Sequence, residues 1–300
     1  RRKKRRRLKV SNIFIGTNFH KDFPFYFDQD WLIPCYAGGT GPDEHHPPSD
    51  KGKFINVTVK KRRYNNTIFD FRHWYSSVSE DKFLKAMGTQ ATDYYTINSA
   101  QDADYLGSAC YRRFLWLDSN RTMPKLTMTA SEESYQHLTS DQMKDNALKY
   151  LKESDIVINR EVEIRQTPYL LLSEYGSPES QYLVSQLKEY WFLFKEGILK
   201  ANPSYASSMK WFTESKVCNF EGVYVTKKHL MRQLVTEYFL AMEHVWDNTK
   251  EVYPDKEKNS YDCTEPFPWR YPGFLMERFV PFFIHANKLK KTEVPLVVLG

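Results

Sequence analysis

Strand-like runs alternate with amphipathic helical stretches along these 300 residues, and the pattern predicts an α/β protein: a mostly parallel open sheet with helices on both faces. Neither an internal repeat nor a Pro/Gly-rich linker interrupts the alternation, which argues for one continuous unit. A small-residue strand, Tyr105 to Cys110, runs directly into the adjacent arginines Arg112 and Arg113. In an open α/β sheet, ligands gather beyond the C-terminal ends of the strands. Two permanently charged, planar guanidiniums there suit a diphosphate. The plainer alternative is a pair of surface arginines bound to a nearby carboxylate.

Each element has its own signal. Residues 9–17 are β-rich and end at Gly16, as a first buried strand followed by a loop would. Residues 20–50 turn aromatic and then rich in Gly, Pro and His, and read mostly as loop. Residues 54–59 alternate as a strand of an added hairpin, and 81–95 read as a helix capped by Ser79. Residues 140–153 carry the stripe Met143, Ala147, Leu148 and Leu151. A strand over 155–159 ends in Arg160. One long helix is expected over 179–199, with Tyr182, Leu183, Leu187 and Trp191 on one face. A strand at 222–226, a helix at 228–248, a proline-aromatic loop at 266–272, a helix at 274–287 and a closing strand at 294–299 complete the series.

Composition narrows the class. Hydrophobic residues at 41% and charged residues at 27% are those of a globular protein with a substantial core. No run approaches the roughly 18–20 apolar residues that span a bilayer, and no apolar stretch follows the basic N-terminus as in a secretory signal. Cys35, Cys110, Cys218 and Cys263 lack zinc-finger or redox spacing, so a cytoplasmic protein with reduced thiols is expected. The net charge of +6 is concentrated in Arg1 to Arg7, all seven of which are basic. We therefore divide the chain into a basic arm or linker, 1–8, and a single domain, 9–300. Such an arm can touch anionic lipid on the cytoplasmic face, or be a solvated tail. The near-neutral body argues against a nucleic-acid enzyme. The loops G-x-G-x-x-G and G-x-x-x-x-G-K-[ST], metal spacings such as H-E-x-x-H, and G-x-S-x-G elbows are all absent.

Three separated stretches resemble a family of bacterial capsule and exopolysaccharide glycosyltransferases catalogued as a domain of unknown function. Asp104-Tyr-Leu-Gly-Ser-Ala-Cys-Tyr-Arg-Arg-Phe-Leu is similar to the family's D-Y-[VIL]-G-x-x-x-Y-R-R-[YF]-[FL], with Cys110 where His is usual. Arg270-Tyr-Pro-Gly-Phe-Leu-Met-Glu-Arg reproduces R-x-x-G-F-L-x-E-R, and the run from Asn287 to Val298 resembles the closing N-x-L-K-x-x-x-[VL]-P-[VL]. The chain departs from the family at Gln90 to Asn98, where an acidic helix is degenerate, at Gly222 to Thr226, and in an insertion around Lys51 to Tyr75. The resemblance implies a GT-A-like fold and transfer of a hexose, galactose or galactofuranose, from a nucleotide sugar (a UDP-sugar foremost) to a glycan or lipid-linked acceptor. A module that binds glycan or nucleotide sugar without catalysis is the alternative.

Glycosyl transfer needs a diphosphate site, charge stabilisation for the leaving group and, for inversion, a base. Arg112 and Arg113, with Tyr111 beside them, are expected to hold the diphosphate in place of a cation. Glu277, near the second turn of a helix started by Pro272 and Gly273, is expected to be the base, with burial raising its pKa. Arg270, Gly273 and Arg278 support it; equally, Glu277 could pair with Arg278 or Arg270 to anchor the helix. Gly16 and Thr17, after the first strand, should approach the nucleotide, unless Gly16 only makes a tight turn. No cofactor is required on this reading. If Mg²⁺ or Mn²⁺ is used, Asp118 and Asn120 would hold it. Asp102 and Asp104 spell D-x-D but precede their strand, the wrong edge for a ligand.

Overall fold

A computed structural model describes residues 12–19, 29, 31–36, 55–56, 62–64, 67–69, 103–118, 127–166, 176–251, 254 and 268–300. The arm 1–8, the helix expected over 81–95, Asp102 and Asn120 lie outside the described residues.

The described strands are β1 (Ile13–Phe19), β2 (Leu32–Tyr36), β3 (Ile55–Asn56), β4 (Arg62–Tyr64), β5 (Thr67–Phe69), β6 (Tyr105–Cys110), β7 (Arg113–Leu115), β8 (Thr127–Met128), β9 (Ile156–Asn159), β10 (Val162–Glu163), β11 (Val217–Cys218), β12 (Tyr224–Lys227), β13 (Lys291–Val294) and β14 (Leu296–Leu299). The helices are α1 (Glu132–Leu138), α2 (Asp141–Glu153), α3 (Pro178–Ser185), α4 (Lys188–Ala201), α5 (Met209–Glu214), α6 (Lys228–Asn248) and α7 (Tyr271–Ala286).

The main sheet runs β3-β2-β1-β6-β12-β9-β13. Strands β1, β2, β3 and β6 are mutually parallel, as are β9 and β13, while β12 lies antiparallel between β6 and β9. The expected open α/β sheet with helices on both faces is therefore present, with one reversed strand at its centre. The alternation of side chains divides two cores. Ile156, Ile158, Leu106 and Tyr224 pack with α3, α4, α6 and α7, whereas Val157, Val225, Ile15 and Ala109 pack with α1 and α2. Full burial of each such aliphatic side chain contributes about 1.5–3 kcal/mol.

Gly107 is required by the reversed strand. A Cβ there would sit 2.7 Å from the Tyr224 carbonyl oxygen and 2.9 Å from Ile15 Cγ1. Gly197 plays the same part between α4 and α6, where a Cβ would meet the Ala241 carbonyl oxygen at 2.5 Å.

Several expectations are corrected. Residues 32–36, read as loop, form a parallel strand beside β1. Ile55–Asn56 pairs parallel with β2 rather than building a hairpin. The single helix over 179–199 is two, because Gln186 and Leu187 adopt extended backbone between α3 and α4. Tertiary packing makes that break, since Gln186 is fully buried and no proline is involved. The closing strand is also divided, at Pro295, which has no N–H to donate. Its carbonyl instead accepts from Trp116, and the chain passes from β9 to a second pairing with β7 and β8.

Candidate active site

The edge formed by the C-terminal ends of β1, β6 and β9 carries several of the expected site residues. Because Tyr224 pairs with both Ser108 and Ile158, the turn before β12 emerges at the same edge as Cys110 and Asn159. That turn is Glu221-Gly222, with φ of 82° and 59°. The left-handed conformation is natural for Gly222 but costs a glutamate about 1–2 kcal/mol.

Arg112 and Arg113 follow β6 at its C-terminal end, as expected, in a tight β-hairpin. Cys110 pairs with Arg113 across it, and Tyr111 and Arg112 make the turn. The Tyr111 amide donates to the Asn18 carbonyl and Leu299 donates to the Arg112 carbonyl, so the hairpin is tied to β1 and β14. Reversal of the chain separates the two guanidiniums. Arg112 is exposed and lies 5.4 Å over the ring of Tyr111, whose own ring is buried. Arg113 turns inward and forms an ion pair with Glu221 at 2.7 Å, with side chains 32% and 18% exposed. Glu221 carries no motif signal; only the left-handed turn before β12 marks it.

Glu277 lies on α7, in a helix begun by Tyr271, Pro272 and Gly273 as expected. Pro281, one turn on, lacks the N–H that would bond the Glu277 carbonyl, so the helix ladder is open at this residue. Among the described residues its carboxylate has no hydrogen-bond or ion-pair partner, so neither Arg278 nor Arg270 anchors it directly. Burial, then the charge of Glu221, push its pKa up to about 7 against the opposing charges of Arg278, Arg113 and Arg270. Glu277 and Arg113 are therefore brought together; Arg112 stands apart from them.

Arg278 is a buried anchor rather than a ligand-facing cation. It donates to the carbonyls of Pro178 (3.3 Å) and Phe274 (2.7 Å) and to Gln181 Oε1 (2.9 Å), and its guanidinium lies 5.4 Å from the Tyr182 ring centre. These bonds clamp α7 to α3 beneath Glu277. Arg270 precedes α7, exposed, with its guanidinium 5.9 Å from the Phe274 ring centre. Cys218, buried beside Glu277 and Arg278, has its thiol pKa raised by burial.

Gly16 and Thr17 lie inside β1, which continues to Phe19, so neither belongs to a loop after the strand. Gly16 faces Ser108 and Ile33 in register, and Thr17 faces Ala109 and Pro34. The hydroxyl of Thr17, Asn18 Oδ1 and the Ser108 hydroxyl are buried and find no hydrogen-bond partner among the described residues. Asn18 and Ser108 were without a sequence signal.

Asp104 sits at the opposite edge. Its carboxylate accepts from the Asn12 amide at 3.3 Å and its carbonyl from Lys228, which joins the starts of β6, β1 and α6. The Asp118 carbonyl accepts from the Tyr150 hydroxyl at 2.8 Å. Among the described residues no three His, Cys, Asp or Glu side chains converge as metal ligands would. No described helix is long and apolar enough to cross a membrane.

The sheet order, parallel but for the reversed β12, is that of a GT-A-like α/β fold. The apo structure of the WbbM bifunctional glycosyltransferase superposes over 97% of this chain and 46% of its own, with a TM-score of 0.66 at 14% identity. The chain thus spans less than half the length of that protein. It belongs to the family described as a domain of unknown function, DUF4422, which matches residues 90–288. No curated protein matches the chain.

Proposed function

We propose that this chain is a nucleotide-sugar-dependent glycosyltransferase that passes a hexose to a hydroxyl of a glycan or lipid-linked acceptor. The observation that carries the reading is Glu277: a carboxylate with no hydrogen-bond or ion-pair partner among the described residues, its pKa raised to about 7, in the field of Arg113 and Glu221 at the sheet edge where open α/β folds bind ligands.

The chemistry follows from those two charges. Glu277 accepts the proton of the acceptor hydroxyl as its oxygen attacks the anomeric carbon. The bond from that carbon to the β-phosphate oxygen breaks, and the electron pair leaves with the nucleoside diphosphate. Arg113 stabilises the charge that accumulates there, and Arg112, exposed on the same hairpin, supplies the outer phosphate contact. Attack assisted by a separate base inverts the anomeric centre. The buried polar groups of Thr17, Asn18 and Ser108 lie at the strand ends where the nucleoside would sit. A UDP-sugar, galactose in pyranose or furanose form, is the donor the family resemblance favours, and Arg1 to Arg7 would hold the protein at an anionic membrane face.

Thermal melting with UDP, GDP and dTDP tests the reading. A rise in Tm with one of them, abolished in Arg112→Ala/Arg113→Ala, supports it; no rise with any overturns it. Donor hydrolysis lost in Glu277→Gln separates an enzyme from an inert binding module. Activity measured across an EDTA titration decides whether Mg²⁺ or Mn²⁺ takes part.

A further inference from the structure

The Arg113–Glu221 pair does more than connect two turns. It occupies the guanidinium that the donor's diphosphate would need, and its acid partner stands on a left-handed backbone that glutamate rarely adopts. The charge of Glu221 also reaches Glu277, raising its pKa, while Arg113 pulls it the other way. Among the described residues, the charged and titratable groups around the two carboxylates are Arg113 from β7, Arg270 and Arg278 flanking Glu277, Cys218 from β11 and Cys110 from β6.

Resting on the transferase reading, we propose that Glu221 is a positioning residue whose carboxylate stands in for the donor's diphosphate on Arg113. Donor binding exchanges one anion for the other on the guanidinium. Glu221 then loses its cation while its charge still reaches Glu277, and the diphosphate adds further negative charge. With Arg113 neutralised by the diphosphate, negative charge around Glu277 increases, and Glu277 takes up part of a proton from solvent. In the empty protein the pair keeps Arg113 extended toward the site. In the complex, the neighbouring charge makes Glu277 a stronger proton acceptor. Donor affinity therefore falls as pH rises above neutrality, because binding takes up a proton that becomes scarcer.

The test uses calorimetric titration of UDP-galactose, with GDP-mannose and dTDP-glucose alongside, since a sugar-diphosphate ester has no group of its own titrating near neutrality. Titrations at pH 8 in buffers of different ionisation enthalpy give the protons taken up per donor bound. The wild type is expected to take up a substantial fraction of one proton. Glu221→Gln, which keeps the shape and removes the charge, is expected to bind the donor roughly three- to tenfold more tightly at pH 8, with proton uptake near zero. It should also move the acidic limb of the pH–rate profile to lower pH. Weaker donor binding by Glu221→Gln, or unchanged proton uptake, overturns the proposal; a purely structural Glu221 would give both. Should the variant fail to fold, the wild-type count decides alone, and zero uptake overturns the exchange. Absence of binding by all three donors would remove the transferase reading with it, whereas binding without uptake removes only this inference.

Discussion

Arg112 and Arg113, neighbours in the chain, face different surroundings: the first lies over the Tyr111 ring in solvent, the second is ion-paired with Glu221. A two-residue hairpin turn causes the separation. For Arg113→Ala we expect nucleoside-diphosphate affinity to fall roughly 10- to 100-fold, the equivalent of about 1.5–3 kcal/mol for a charge-assisted contact. Arg112→Ala should lower it by less than about tenfold, as for exposed ion pairs. Isothermal titration of the two single variants checks the order.

Glu277→Gln should reduce turnover at least 100-fold while leaving donor affinity within a fewfold of wild type. Its raised pKa also sets a sign for stability. The folded carboxyl holds a proton between its ordinary 4.5 and about 7, where the unfolded one has lost it. Stability is therefore present below the ordinary value and lost as pH rises through 7. Glu277→Gln removes that loss and should be more stable than wild type at pH 8, by on the order of 1–3 kcal/mol. Urea denaturation at pH 5 and pH 8 reads the difference.

Gly107→Ala should destabilise the fold by about 1–3 kcal/mol, because the added methyl meets a backbone carbonyl that cannot move aside without disturbing the β6–β12 pairing. Denaturation midpoints with an unchanged m-value would confirm overpacking as the cause.

Asp155 binds Lys227 Nζ at 2.5 Å and accepts from the Lys290 amide at 2.9 Å, bonds that hold its pKa below the ordinary value. A depressed carboxyl stabilises above its unfolded pKa and loses that contribution as pH falls through the folded value. Asp155→Asn should cost about 1 kcal/mol at pH 7 and less at about pH 3, below the ordinary carboxyl value of 3.8. Urea curves at the two pH values check it.

Cys110 and Cys218 are free, buried and raised in pKa by burial. Both should resist iodoacetamide at pH 7.5 in the native protein and react fully in denaturant, as mass mapping would show.

Much was legible in the chain alone. The α/β alternation, the strand at Tyr105–Cys110, the helix at Asp141–Glu153 with its apolar stripe, and α6 follow from composition and period. Glu277 was marked by its helix start and hydrophobic neighbours, and Asp104 by lying before its strand. The strand at Leu32–Tyr36 was hidden because Pro34 and the Gly/Pro-rich residues after it look like loop, while its pairing partner β1 lies elsewhere in sequence.

Local chemistry is written in short-range order: side-chain period, caps and turn residues act over a few positions, so the sequence determined the elements and the residue types available for chemistry. Which charges meet is a long-range matter. Only the tertiary structure decided that Glu221 reaches Arg113, that Arg112 is left outside, and that Arg278 is spent on α3, because each depends on how distant strands are ordered at one sheet edge.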